Sequence, residues 1–338
     1  MAPLKKLKMK NLWRHALPLL VLAALLSGCG EKETRKITVF STRQESLIRP
    51  ALDAFARKHG VQIECVCEDA GALLIKIVAE GATSRADVFL ATDVGDLCAA
   101  SQHGVLKPLA SESLEGSIPA HLRDPGNEWF AISKRARVIA YNNEKIKPEF
   151  LASYADLADP KWKGRLLLPA ARTEGNPSMV ALLIADHGEA RTETILKGWL
   201  ANLAAAGFAD GAALLQALVA GQGDVGIVDS SDFLRFMEKV PDAPLAIFWP
   251  DQNGGGACVN ICGAGITRFA HNEADAVALI EWLATSEGQR IFADTNNELT
   301  ASANILYSHM PKTSNTPLAQ AGENQKQALI LMDRAGYK

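Results

Sequence analysis

Residues 229–232, Asp229-Ser230-Ser231-Asp232, set four oxygen-bearing side chains in a row where the apolar run "VGIV" ends and a helical apolar pattern resumes at Phe233. Two carboxylates and two hydroxyls there can grip a polar ligand, or Ser230 or Ser231 can simply cap the following helix. A helix start also offers backbone N–H donors, which suit an anion or a polar organic group. Three other polar groups share this setting. Arg43 and Gln44, with Ser41 and Thr42, follow the run "ITVF"; Thr92 and Asp93 close the run "DVFLAT". Arg172, Asn176 and Ser178, with Thr173 and Gly175, form the polar entry to an apolar helical stretch. A basic residue beside a helix N-terminus is apt for phosphate or carboxylate. The plainer alternatives are a solvated surface arginine for Arg43 and an N-cap for Asp93. Trp249 and the run Gly254–Gly256 can add an aromatic wall and flexible backbone, although Trp249 fits a core better.

These residues need elements that bring them together, and the pattern supplies them. "ITVF" (37–40), "VQIECVC" (61–67) and "DVFLAT" (87–92) read as strands. Between the first two, Leu47, Ile48, Ala51, Leu52 and Phe55 recur at helical spacing, with Pro50 in the first turn and Gly60 as the stop. Helices are expected over 70–80, from about 94 to His103, and over 178–187. Further strands are expected near 135–141, 165–168, 224–229 and 245–249. Such alternation predicts a parallel sheet with helices on both faces. Ligands in open α/β sheets bind beyond the carboxyl ends of strands. That rule brings the loops after 37–40, 87–92, 165–168 and 224–229 to one cleft. Two long extended runs, 129–142 and 254–267, read as crossings between two lobes.

The first 28 residues stand apart. Lys5, Lys6, Lys8, Lys10 and Arg14 precede an apolar run, Ala16 to Leu26, that is short for a bilayer span and reads as an export signal. It ends in Leu26-Ser27-Gly28-Cys29, which resembles the lipobox of bacterial lipoproteins and implies cleavage before Cys29 and lipid attachment there. The alternative is an uncleaved anchor helix. Without that segment the chain keeps 30 basic against 38 acidic residues, a balance that excludes nucleic acid and a polybasic lipid grip. Cys65, Cys67, Cys98, Cys258 and Cys262 remain, an odd number in an oxidising compartment. Inert buried thiols, a disulfide involving Cys65, Cys67 or Cys98, and a thiolate ligand site all stay open; Cys65 and Cys67 share one face of a strand.

Several phrases then resemble, in order, the periplasmic ferric-iron-binding proteins: "AEGATSRADVFLATD" (79–93), "KRARVIAYN" (134–142), "YADLADPKWKGRLLLP" (154–169), "GDVGIVDSSD" (223–232), "VNICGAGIT" (259–267) and "ATSEGQRIFAD" (284–294). The likeness runs from about 37 to 306. It implies the two-lobed α/β type II periplasmic-binding-protein fold with a ligand cleft between lobes. The expected layout is a leader over 1–28, a tether over 29–36, an N-lobe over 37–131 completed by about 263–300, and a C-lobe over 132–262 completed by about 301–338. It also implies a monomeric extracytoplasmic protein that hands a small-molecule or ion ligand to an ABC permease, with no resident cofactor; the membrane anchor is what the lipobox implies.

The family's iron ligands are not matched. Adjacent tyrosines usually follow a strand like "GDVGIV"; here those positions hold Ser231 and Asp232, after Asp229 and Ser230. The position of a ligand histidine holds Gln44, and no tyrosine occurs in "RTEGNPS" (172–178). The four tyrosines are Tyr141, Tyr154, Tyr307 and Tyr337. Ferric ion favours anionic oxygen ligands, so the leading expectation is an oxyanion or phosphorylated organic ligand, or a metal in a divergent site. The alternatives are ferric iron or an iron chelate, or a ligand-sensing lipoprotein. An enzyme is disfavoured: the chain has no G-x-S-x-G elbow, H-E-x-x-H helix or Walker A stretch.

Overall fold

The computed structural model describes residues 35–205, 207–305 and 311–338, with one compact unit from Lys36 onward. The basic leader, Cys29 and Tyr307 lie outside the described residues.

The first part follows the expected alternation: β1 (Lys36–Ser41), α1 (Glu45–His59), β2 (Gln62–Cys67), α2 (Ala70–Glu80), β3 (Val88–Ala91) and α3 (Val94–Gln102). Helix α1 buries Ile48, Ala51, Leu52 and Phe55, the stripe expected of an amphipathic helix, and ends at Gly60 with φ +65°. Pro50 lies beyond the first turn, inside the helix, where its missing N–H removes one backbone bond. After the short α4 (Glu112–Ser117) comes β4 (Phe130–Asn142), then β5 (Leu166–Leu167), α5 (Asn176–His187), α6 (Glu189–Ala201), α7 (Gly211–Val219), β6 (Val225–Asp229) and α8 (Ser230–Lys239). The chain closes with β7 (Leu245–Phe248), β8 (Val259–Ile266), α9 (Glu273–Leu283), α10 (Ser286–Asn296), β9 (Leu299–Thr300) and α11 (Ala319–Ala335).

The sheet is mixed rather than parallel. Its strand order is β2-β1-β3-β8-β4-β6-β5, with β7 and β9 also paired to β4. Strand β1 runs parallel to β2 and β3, and β5 parallel to β6. Strand β8, however, is antiparallel to both β3 and β4, and β4 is antiparallel to β6. The local strand–helix rhythm produces the parallel pairs. The two long extended runs insert between them in the opposite sense, a long-range pairing that no local pattern carries.

Strand β4 is shared along its length. Residues up to Ala136 pair with β8, and from Arg137 onward the strand pairs with β6 and then β7. A register shift interrupts the β8 pairing between Ala131 and Ser133. The centre of β4 therefore lies where both sets of strands meet, and Arg135 and Arg137 sit there.

All five described cysteines are free thiols. Cys98, Cys258 and Cys262 are buried; burial pushes the first two up to about 12 and Cys262 up to about 11, so they stay protonated. Among the described residues no helix is long and apolar enough to cross a membrane.

Candidate functional site

Residues two apart on a strand point to the same face, so β4 projects Arg135 and Arg137 together. Both side chains are buried. Strand β6 delivers a carboxylate between them, because Asp229, its last residue, lies opposite Arg137 in the antiparallel register. Arg135 donates Nε to Asp229 Oδ2 at 3.1 Å, and Arg137 Nη1 lies 3.2 Å from Oδ1. Burial opposes ionisation of Asp229, but Arg137 and then Arg135 outweigh it and hold the carboxyl below its usual range. The same pairing overcomes burial at both arginines and raises them further above their ordinary value.

A second carboxylate completes the floor. Helix α10 ends at Asn297 in the left-handed conformation (φ +54°), which turns the chain so that the buried Glu298 faces inward. Glu298 accepts Arg43 Nη2 at 2.7 Å and Ser133 Oγ, and lies 3.9 Å from Arg135 Nη1. Arg43 also donates to Asn296 Oδ1. The floor thus carries three buried guanidiniums against two buried carboxylates. Arg43 Nε, Arg135 Nη1, Arg137 Nε and Ser231 Oγ find no hydrogen-bond partner there, and neither does Asp229 Oδ1 beyond its ion pair with Arg137. Buried donors are rarely left so. Three of those atoms are guanidinium nitrogens, a chemistry that suits an acceptor-rich group.

Above it opens a cavity of about 630 Å³. Glu174 reaches over its edge to Arg135 Nη2 at 3.0 Å, while Arg172, mostly exposed, pairs loosely with Asp333 at 3.4 Å. On another side Asp232 accepts Arg235 Nη2 at 2.6 Å. Burial, reinforced by Asp229, pushes the Asp232 carboxyl up against the pull of Arg235. Gly211, at the start of α7, makes room for that carboxylate: a Cβ there would sit 2.4 Å from Asp232 Oδ2.

The structure brings Arg43, Gln44, Thr92, Arg172, Asp229, Ser231 and Asp232 to this one cavity. Four other candidates lie behind its wall. Asp93 caps α3 by accepting Gly95 N at 2.6 Å, and also accepts Ser178 Oγ at 2.6 Å and Asn260 Nδ2 at 2.8 Å. Both Asp93 and Ser178 are consumed by that network. Asn176 accepts from Arg137 and donates to the Ala170 carbonyl and to Tyr337 Oη, so it positions Arg137. Ser230 Oγ accepts Ala136 N at 3.1 Å. Neither serine caps α8: Asp229 holds the N-cap position, and its side chain makes no capping bond because the arginines take it. Trp249 packs against the core, and Gly255 and Gly256 border a separate cavity of about 220 Å³.

Sequence reasoning missed Arg135, Arg137, Glu298, Glu174, Asp210 and Arg235, all of which line the cavity. The first two did leave a signal, two arginines at alternate positions where the strand turns apolar in Ala136 and Val138–Ala140.

The described tyrosines are all elsewhere. Tyr141 lies within β4 beside β6 and β7, and Tyr154 donates to the Arg137 carbonyl at 2.7 Å while accepting Cys258 N. Tyr337 donates to the Pro169 carbonyl at 2.7 Å. Burial raises both Tyr154 and Tyr337 above an ordinary phenol, and neither lines the cavity. Among the described residues no three His, Cys, Asp or Glu side chains are grouped to hold a metal ion.

The family model for bacterial extracellular solute-binding proteins matches residues 84–320. Iron uptake protein A1 of Synechocystis sp. is 33% identical over 96% of this chain and 96% of its own length. The major ferric iron-binding protein of Neisseria meningitidis serogroup B is 26% identical over 98% of this chain and all of its own. Among solved structures, the Trichodesmium protein IdiA (FutA) in complex with iron and citrate ligands aligns with a TM-score of 0.85 and 35% identity, covering 90% of this chain and 100% of that one. The names of these relatives refer to iron uptake and ferric-iron binding, and the structural neighbours are two-lobed periplasmic binding proteins.

Proposed function

The chain belongs to the bacterial extracellular solute-binding protein family, and on that footing we propose that it captures ferric iron as an anionic carboxylate chelate and delivers it to an ABC permease. The observation that carries this reading is the floor of Arg43, Arg135 and Arg137 against Asp229 and Glu298, all five of which line the cavity, with a guanidinium nitrogen on each arginine left without a hydrogen-bond partner. A bare ferric ion would find no phenolate in the lining, where five arginines (Arg43, Arg135, Arg137, Arg172, Arg235) already face the five carboxylates Glu174, Asp210, Asp229, Asp232 and Glu298. A chelate such as ferric citrate instead presents carboxylate oxygens, which guanidiniums bind with charge-assisted and often bidentate hydrogen bonds. The iron-uptake relatives and the iron-and-citrate complex of Trichodesmium support iron as the cargo.

In this reading Arg135 and Arg137 take the chelator's carboxylates, while Ser231, Thr92 and Gln44 supply neutral contacts. Arg172 and Glu174 form the rim. Two lobes, one carrying Arg43 and Thr92 and the other carrying Arg137 and Asp229, close over the ligand, so that binding energy shifts an open–closed equilibrium. The mature protein is tethered through lipid on Cys29 and acts as a monomer. The three arginines of the floor also support a second reading, an organic oxyanion or sugar phosphate without iron.

Calorimetric titration of the purified protein with ferric citrate, citrate, inorganic phosphate and fructose 6-phosphate separates the two. Ferric citrate should bind at least about tenfold, or about 1.4 kcal/mol, tighter than citrate alone. If phosphate or the sugar phosphate binds and ferric citrate does not, the iron reading is wrong and the second takes its place.

A further inference from the structure

Cys65 and Cys67 lie outside the cavity and have no part in the proposed ligand binding. Both are on β2, an edge strand of the sheet, which among the described residues pairs only with β1. As alternate residues they share one face, and their Sγ atoms are 3.2 Å apart. Both are half-buried, so a small reagent can reach them, unlike Cys98, Cys258 and Cys262.

We propose that Cys65 and Cys67 form a reversible dithiol–disulfide couple that exchanges with external disulfides. The geometry permits it: alternate Cα atoms in a strand are about 6.6 Å apart, near the upper end of the roughly 4.4–6.8 Å range that disulfides span. Closing the bond must draw β2 slightly inward, and an edge strand can bend while disturbing one ladder only. A bond formed at that limit is more readily reduced than a relaxed one. One cysteine thiolate attacks an external disulfide and expels one thiol, leaving a mixed disulfide. The second cysteine sulfur then attacks the first, forming the Cys65–Cys67 bond and expelling the other thiol. Two thiols are oxidised, one external disulfide is reduced to two thiols, and no other oxidant is needed.

Burial, and then the hydrogen bond to Cys67, push the Cys65 thiol up, which slows the exchange near neutral pH without preventing it. The consequence falls close to the cavity. Cys67 is in register with Ser41, and Glu68 N donates to the Ser41 carbonyl at 3.2 Å, immediately before the cavity residues Thr42, Arg43 and Gln44.

The test equilibrates the full chain in glutathione buffers of graded reduced-to-oxidised ratio, followed by acid quench, maleimide labelling under denaturing conditions and mass measurement. The expected result is loss of two labels in a single transition, with the peptide holding both cysteines lighter by two hydrogens. Cys65→Ser and Cys67→Ala should each abolish the transition, and Cys98→Ser should leave it in place. Retention of both labels across the whole range, or separate glutathione adducts on each cysteine with no internal bond, would overturn the proposal.

Discussion

Arg137 and Asp229 face each other across the β4–β6 pair, with Nη1 3.2 Å from Oδ1 and both side chains buried. Removing one member of a buried ion pair typically costs about 3–5 kcal/mol, because the other charge is left without compensation. Arg137→Ala should therefore lower stability strongly and weaken ligand binding by at least about tenfold. Asp229→Asn tests the electrostatics more gently. The folded pKa of Asp229 is depressed, so its stabilisation is present above the ordinary aspartate value near 4 and is lost as pH falls through the folded value. Denaturant unfolding of Asp229→Asn should show a weaker loss of stability on acidification than the parent protein. An unchanged acid limb would mean that the pair does not govern it.

Asn176 and Arg172 separate the wall of the cavity from its rim. Asn176→Ala would strip partners from Arg137, Tyr337 and the Ala170 carbonyl together, and buried groups left unsatisfied cost about 1–3 kcal/mol each. A clear drop in melting temperature is expected. Arg172 is mostly exposed and pairs with an equally exposed Asp333, so Arg172→Ala should change stability by no more than about 0.5 kcal/mol. A larger effect from Arg172 than from Asn176 in matched unfolding curves would reverse this assignment.

Asp96, in α3, gives a pH signature of the opposite sign. Burial first, then the neighbouring Asp93 and Glu174, push its carboxyl up to about 8 against the pull of Arg135. The folded state holds this proton more tightly than the unfolded chain, whose value lies near 4. Stability should therefore fall as pH rises between those two values. Asp96→Asn keeps the size and removes the charge, so it should flatten that decline and make the variant more stable than the parent at about pH 8. Equal slopes for the two proteins across that window would contradict it.

Much of the fold was legible because it is locally encoded. The stripe of Ile48, Ala51, Leu52 and Phe55 and the left-handed Gly60 define α1 without any tertiary partner. The antiparallel insertion of β8 was not legible, since the pairing of Gly265 with Phe89 depends on a segment far away in sequence. The same distinction governs the site. Loops at strand ends identified Arg43, Thr92, Asp229, Ser231 and Asp232, because chain direction alone carries them to the cavity. Arg135 and Arg137 escaped notice because a charge in a strand ordinarily faces water. Here β4 crosses the middle of the sheet, and Asp229 and Glu298 make burial tolerable. Ser230 was a reasonable cap, but Ala136 N takes its hydroxyl, a contact that exists only once β4 and β6 have paired.

Anchoring is testable apart from the fold. If Leu26-Ser27-Gly28-Cys29 is processed as a lipobox, Cys29→Ala should move the protein from the membrane fraction to the soluble extracytoplasmic fraction without altering its melting curve. Recovery of Cys29→Ala with membranes at the parent level would count against lipid attachment.

Colour tests the iron chemistry most directly. Ferric ion held by phenolates shows an intense visible charge-transfer band, and in this chain the positions that would supply adjacent tyrosines carry Ser231 and Asp232. Ser231 has no anionic oxygen near neutral pH, and Asp232 has one without a phenolate chromophore. Tyr154 and Tyr337 are buried, do not line the cavity and are engaged in backbone hydrogen bonds. Tyr141 is not among the residues that line the cavity. Addition of ferric citrate should therefore give binding without a new phenolate band. The double variant Ser231→Tyr with Asp232→Tyr should gain such a band, since it sets two phenols beside the same cavity and removes a carboxylate already engaged by Arg235. A band that appears in the parent protein and disappears in Tyr141→Phe or Tyr307→Phe would show that a tyrosine reaches the metal after all. The chelate would then be secondary to direct coordination, and the arginine floor would serve an accompanying anion instead.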